Sequence, residues 1–211
     1  MRVLIVANGV RGPHLDVSTA VDLIIAADGG TEHLRGSQIP PHVVVGDLDS
    51  IDPSTLIWAR SNGAQIVAHP SNKDASDLEL AIDLALEHGA TYIDIAAALG
   101  GREDHALVNV AVACSSHYST VELWLRGESS VMTPIHTGMT RALPIGEGAV
   151  ISLLAVGGPA VVTARGVRWE LDGETLHPTS SRGLSNVAVR SDPVIEVAAG
   201  TVLAVCPQHT S

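Results

Sequence analysis

The 211-residue chain contains no phenylalanine, and aromatic residues make up only 2% of it. With hydrophobic residues at 45%, any core must rest on valine, leucine, isoleucine and alanine. Positive charge is also scarce. Twelve basic residues face 23 acidic ones, for a net charge of −11. That balance excludes nucleic-acid binding through a basic surface, because such binding is driven by neutralising phosphates. It also excludes attraction of a polyphosphate by the overall field, so a phosphate ligand requires a mediating cation. Two cysteines, Cys114 and Cys206, do not make a disulfide scaffold, and Cys114 lies in an apolar run that reads as core. No stretch reaches the roughly 18 uninterrupted apolar residues of a membrane helix. The opening MRVLIVANG meets an Asn8-Gly9 turn too early for a signal peptide, so a cytoplasmic protein is expected. Several motifs are missing too: a P-loop, GxGxxG, HExxH, paired CxxC and GxSxG. The ten histidines show no metal-ligand spacing.

What is present falls into two grammars. Through residue 127, apolar runs alternate with helical patterns. Val3–Ala7, Leu23–Ala27, Val43–Val45, Gln65–Ala68, Tyr92–Ala96 and Val121–Leu125 read as strands, several continuous enough to be covered on both faces. Ser76 to His88 reads as a helix with Leu78, Ile82, Ala85 and Leu86 on one face, ended by Gly89. A second helix is expected from about Glu103 to Ser115. This alternation implies an α/β domain, residues 1–127, built on a doubly wound, mostly parallel sheet. From residue 128 to 211, short strand-like runs follow one another across Gly, Pro and Asp-Gly turns: Val131–Ile135, Ala149–Val156, Ala160–Thr163, Val194–Val197 and Val202–Val205. No convincing helix interrupts them, which is the spacing of an antiparallel β-sandwich.

In a doubly wound sheet, ligands bind beyond the carboxyl ends of the strands. Four polar clusters fall there: Asp28-Gly29-Gly30, Gly46-Asp47-Leu48-Asp49-Ser50, Lys73-Asp74-Ala75-Ser76-Asp77, and Gly100-Gly101-Arg102-Glu103-Asp104-His105. Each has a plainer reading. Asp28 suits a turn, Asp47 and Asp49 suit turns or caps, and Ser76 or Asp74 suits a helix N-cap. Together they crowd carboxylates at one sheet edge, which is unfavourable without a cation. A turn after the third strand would bring Asp47 and Asp49 to one ion. Oxygen ligands without a His or Cys set suit Mg²⁺, which bridges to substrate phosphates. Lys73, the one lysine of the chain, and Arg102 are candidate phosphate contacts, with a solvated surface lysine as the plainer reading of the former.

These clusters, in this order, resemble the thiamine pyrophosphokinase family. Its DGG matches Asp28-Gly29-Gly30, and its GDxDS matches Gly46 to Ser50. KDxTDxExA matches Lys73 to Ala81, with Ser76 replacing the usual Thr, and GGRxDHxxxN matches Gly100 to Asn109. Later segments match Gly166-Val167-Arg168-Trp169-Glu170-Leu171 and Ser185-Asn186. The resemblance implies an α/β domain binding ATP and Mg²⁺, followed by a β-sandwich for thiamine binding and dimerisation. It implies a cytoplasmic homodimer with the active site at the subunit interface, transferring the pyrophosphoryl group of ATP to thiamine. By resemblance, Asp28, Asp47, Asp49 and Asp77 hold the metal, with Asp49 or Asp77 as general base. Lys73, Asp74, Arg102 and Asp104 serve ATP and its phosphates, and Ser185 and Asn186 meet thiamine. Trp169 is placed to cover the thiamine ring, or else packs in the core. A pyrophosphokinase of a pterin alcohol and a non-catalytic sensor are the competing readings. The second-half motifs weigh against the first, and the full set of acidic positions against the second.

Overall fold

The computed structural model describes residues 1–10, 20–72 and 74–207. The chain divides into two compact units, Met1–Asn109 with Thr120–Glu128, and Val110–Ser119 with Ser129–Ser211.

The first unit runs β1 (Arg2–Val6), β2 (Leu23–Ala27), α1 (Gly30–Gly36), β3 (Val43–Gly46), α2 (Pro53–Ser61), β4 (Gln65–Ala68), α3 (Asp77–Glu87), β5 (Tyr92–Ala96), the start of α4 (Glu103–Ala113), and β6 (Glu122–Arg126). Its strands lie in the order β6-β5-β1-β2-β3-β4, all parallel. Adjacent residues of β1 point to opposite faces, yet Leu4, Ile5 and Val6 are all buried. The sheet is therefore covered on both sides, as its continuous apolar runs require. One face packs Leu4, Val6, Ile24, Ala26, Val44 and Ala96 against Leu34 of α1 and Ala59 of α2. Helix α3 packs against β1, β2 and β3. It buries Leu78, Ala81, Ile82 and Ala85. Leu86, expected on that face, is only partly covered; Ala81 takes the inward place.

Helix α3 begins in a way that matters for the site. Ser76 is its N-cap: the Ser76 hydroxyl accepts from the Glu79 N–H, and the Glu79 carboxylate accepts from the Ser76 N–H at 2.8 Å. This capping box satisfies helix-end donors reciprocally and makes Asp77 the first helical residue.

The second unit contains a 3-10 turn (Ser116–Tyr118), then β7 (Ser130–His136), β8 (Met139–Ala142), β9 (Val150–Ala155), β10 (Ala160–Arg165), β11 (Leu171–Leu176), β12 (Asn186–Val187), β13 (Val194–Ala199) and β14 (Thr201–Pro207). Two antiparallel sheets result, β12-β9-β14-β7 and β11-β10-β13-β8. They pack through β7 against β8 and β13, and through β10 against β14. In β10, Ala160, Val162 and Ala164 are buried while Val161, Thr163 and Arg165 are not, the alternation of a one-sided sheet. The α/β sheet followed by an antiparallel β-sandwich is the architecture expected from the two grammars.

Candidate active site

All four polar clusters follow the carboxyl ends of parallel strands β2, β3, β4 and β5. Where the strand order reverses, between β1 and β5, the following backbone segments are joined by Gly9 N–H to Ala97 O at 2.6 Å and Val10 N–H to Leu99 O at 3.0 Å. The carboxylates gather beside this point, after β2 and β3.

Asp28 follows β2 and continues its pairing, donating its N–H to Val45 O at 2.8 Å. It sits at φ +45°, a left-handed conformation that Asp tolerates better than most residues. The residue is 5% exposed, and Oδ1 is buried with no hydrogen-bond partner. Burial raises its pKa above 3.8, and the nearby Asp77 and Asp47 charges add to the rise; hydrogen bonds from Ser50 and Gly29 act against it. After β3, Leu48 takes φ +67°. That turn lets the Asp49 N–H reach Asp47 Oδ1 at 3.3 Å and folds both carboxylates the same way. Carboxylate oxygens of Asp28, Asp47 and Asp49 lie within 4.8 Å of one another. Ser50, which donates to Asp49 Oδ1 at 3.0 Å, ties the cluster together.

Asp77 enters from α3 across Gly46. A Cβ on Gly46 would stand 2.9 Å from Asp28 Cβ and 3.0 Å from Asp77 Oδ1, and Gly46 holds φ +145°. Only glycine allows β3 to end between these two carboxylates. The donor set is all oxygen, and the buried Asp28 Oδ1 lacks a donor, so these residues fit a hard divalent cation.

The other expected residues are arranged differently. Asp74 is exposed, and Lys73 lies outside the described residues. Arg102 and Asp104 form an exposed pair, Nε to Oδ1 at 3.2 Å and Nη2 to Oδ2 at 2.6 Å. Arg102 thereby holds the Asp104 carboxyl at about 2.

In the second unit, Trp169, Arg182, Leu184, Ser185 and Asn186 line a pocket of about 280 Å³. Trp169 is 52% exposed, which excludes the core reading. The Arg168 guanidinium lies over its ring, 5.6 Å from the centroid. Asn186 is buried, and its amide is engaged within the fold. Nδ2 donates to Trp169 O at 2.7 Å, and Oδ1 accepts from Trp169 N at 3.1 Å and Val187 N at 2.9 Å. Asn186 thus fixes the backbone that presents the indole, while Ser185, at φ +56°, stays exposed. Gly46, Ser50 and Glu79 stand inside the recognised motifs yet carry roles that residue type alone did not reveal. Arg182 and Leu184 had no signal at all.

The family model of the thiamin pyrophosphokinase catalytic domain matches residues 16–125. The chain belongs to the thiamin pyrophosphokinase family. The family's vitamin B1 binding domain matches residues 139–202, a range that includes the whole lining of the pocket. Thiamine pyrophosphokinase 1 of Oryza sativa subsp. japonica is 28% identical over 157 residues, covering 70% of this chain and 59% of that relative. The thiamine pyrophosphokinase of Bacillus subtilis (strain 168) is 35% identical over 109 residues, 50% of this chain and 51% of that relative. The match thus spans between half and three-fifths of these two family members' length. A crystal structure of thiamine pyrophosphokinase from Bacillus subtilis shares the fold, with TM-score 0.85, 24% identity and 99% of each chain covered.

Proposed function

We propose that this chain transfers the pyrophosphoryl group of ATP to the hydroxyl of thiamine, giving thiamine diphosphate and AMP. The observation that carries the reading is the oxygen-only cluster of Asp28, Asp47 and Asp49 at a parallel-sheet edge, in a chain matched by both domains of the thiamin pyrophosphokinase family.

In this reading Asp28, Asp47, Asp49 and Asp77 hold Mg²⁺. The ion, when bound, neutralises phosphate oxygens and the charge that develops on the leaving group. Lys73, Asp74, Arg102 and Asp104 serve the nucleotide. Arg102 gives two of its five N–H donors to Asp104, so three remain for phosphate oxygens. Asp49 or Asp77 accepts the proton of the thiamine hydroxyl as that oxygen bonds to the β-phosphorus. The bond from β-phosphorus to the α-phosphate oxygen breaks in line, and AMP leaves. Thiamine is a cation, and the −11 charge of the chain favours its approach. Trp169, held by Asn186, covers the thiamine ring, with Ser185 at its side.

The same reading implies a cytoplasmic homodimer with the site at the subunit interface. Leu107 and Val108 of α4, 72% and 51% exposed, form an apolar surface of the kind a second copy covers. A mass measurement in solution tests the dimer. No helix among the described residues is long and apolar enough to cross a membrane.

The deciding assay incubates the protein with Mg²⁺ and ATP plus either thiamine or a pterin alcohol and measures AMP. AMP with thiamine alone is expected. AMP with the pterin alone, or with neither, overturns the reading. Asp47→Asn and Asp49→Asn are each expected to abolish turnover while circular dichroism stays unchanged; a folded variant at near-normal rate removes that residue from the metal site.

A further inference from the structure

The pocket that the proposed function gives to a cation has a cation in its wall. Arg182 lines it, in the segment between β11 and β12. That segment is firmly seated. Its turns are closed by Ser180 N–H to His177 O at 3.0 Å and Leu184 N–H to Ser181 O at 3.0 Å. Gly183 lies so close to β9 that a Cβ there would stand 2.0 Å from Leu153 O. Backbone contacts thus hold the segment without help from the Arg182 side chain.

That side chain is nonetheless gripped at both ends of its fork. Nε donates to Glu174 Oε1 at 2.7 Å and Nη2 to Glu174 Oε2 at 2.9 Å. Glu174 stands on β11 and is not among the residues lining the pocket. The pair is half exposed, at 49% and 37%, and such pairs add little to stability. Its effect on the pocket is larger. An uncompensated guanidinium repels a positive ligand, and a bidentate carboxylate cancels most of that field at short range.

We propose that Glu174 is a specificity-determining residue that acts through Arg182, neutralising the pocket wall so that a cationic ring is accepted. The proposal rests on the thiamine reading above. In it, Arg182 contributes a wall of the pocket, while Glu174 sets the local charge through its two hydrogen bonds to Arg182 without touching the ligand.

The test compares Glu174→Gln, Arg182→Gln and the double variant in steady-state kinetics with Mg²⁺, ATP and thiamine, after circular dichroism has confirmed folding. Glu174→Gln exposes a positive wall, so KM for thiamine is expected to rise about three- to tenfold. KM for ATP and kcat are expected to stay within about twofold. The rise is expected to shrink at high salt, where screening shortens the field. Arg182→Gln leaves a negative wall and is expected to lower KM for thiamine. The double variant is expected to return near the wild-type value. A purely structural latch predicts the opposite pattern, with all three variants raising KM alike; that result, or an unchanged KM in Glu174→Gln, overturns the proposal. Wild-type protein that makes no AMP from thiamine overturns the functional reading and this inference with it.

Discussion

Replacing Asp28 by asparagine is expected to stabilise the metal-free protein while removing its response to magnesium. The carboxylate is buried, and one oxygen accepts no hydrogen bond. Its neighbours are acids, with oxygens of Asp28, Asp47 and Asp49 within 4.8 Å. Two unit charges at that separation repel by about 0.9 kcal/mol in bulk water and about 3.5 kcal/mol at an effective dielectric of about 20. Asp49 is exposed and its share is screened, so relief of about 1 to 3 kcal/mol is expected. Asparagine keeps the shape, tolerates the left-handed backbone at φ +45°, and supplies an N–H₂ to the adjacent carboxylates. The assay is urea unfolding followed by circular dichroism, in EDTA and in excess Mg²⁺. In EDTA the variant's midpoint is expected to rise by about 0.5 to 1.5 M. In Mg²⁺ the wild type gains about 2.7 kcal/mol at a hundredfold excess over Kd, and the variant gains little. The pH dependence has a definite sign. With its pKa raised above 3.8, the folded state holds the Asp28 proton more tightly than the unfolded chain does. The contribution of this group is full below the ordinary value and lost as pH rises through the folded one. The advantage of the variant in EDTA is therefore expected to narrow in acid. A variant less stable than wild type in EDTA at neutral pH, or one with an undiminished Mg²⁺ shift, refutes the reasoning.

Other perturbations separate site from scaffold. Ser76→Ala removes the cap of α3 and is expected to cost about 1 kcal/mol, with a loss of activity as Asp77 shifts; urea midpoints and AMP formation report the two. Asn186→Ala breaks three hydrogen bonds around Trp169. A loss of about 1 to 3 kcal/mol is expected, and KM should rise for thiamine but not for ATP. Burial pushes the Cys114 and Cys206 thiols up to about 12. Neither is expected to react with an aromatic disulfide reagent at pH 8 until the protein is denatured. Native stability should fall as pH rises from the ordinary thiol value towards about 12, which alkaline unfolding curves would show.

The parallel strands were legible because strands covered on both faces must be written as apolar runs. The elements that were missed lack such runs for physical reasons. Helix α1 is only seven residues, GTEHLRG, too short to display a period. Helix α2 carries readable start signals in Asp52 and Pro53, but its Ile57 faces solvent at 62% exposure and blurs the apolar stripe. Strands β8 and β11 are edge strands. MTRA and LDGETL bury too little to alternate clearly. The acidic positions of the candidate site stand out in the sequence because aspartate after a strand end carries chemistry in its type. Partners whose role depends on approach were not. Gly46 reads as a turn glycine, and its use as the gap between Asp28 and Asp77 exists only in three dimensions. Ser76 reads as a helix cap, and the part played by Glu79, three residues on, in closing the capping box shows only in the structure. Arg182 sits among turn residues, with Glu174 eight residues away on a strand that the pattern does not show.

The scarcity of aromatic rings makes the molecule its own optical probe. Of three tryptophans, Trp124 is buried on β6 and Trp58 is partly covered on α2, so their emission reports the integrity of the first unit. Trp169 alone stands more than half exposed, at the mouth of a pocket and under an arginine. Whatever enters that pocket changes the polarity around one indole and leaves the other two as a steady background. Ligand binding can thus be followed by intrinsic fluorescence, without a label.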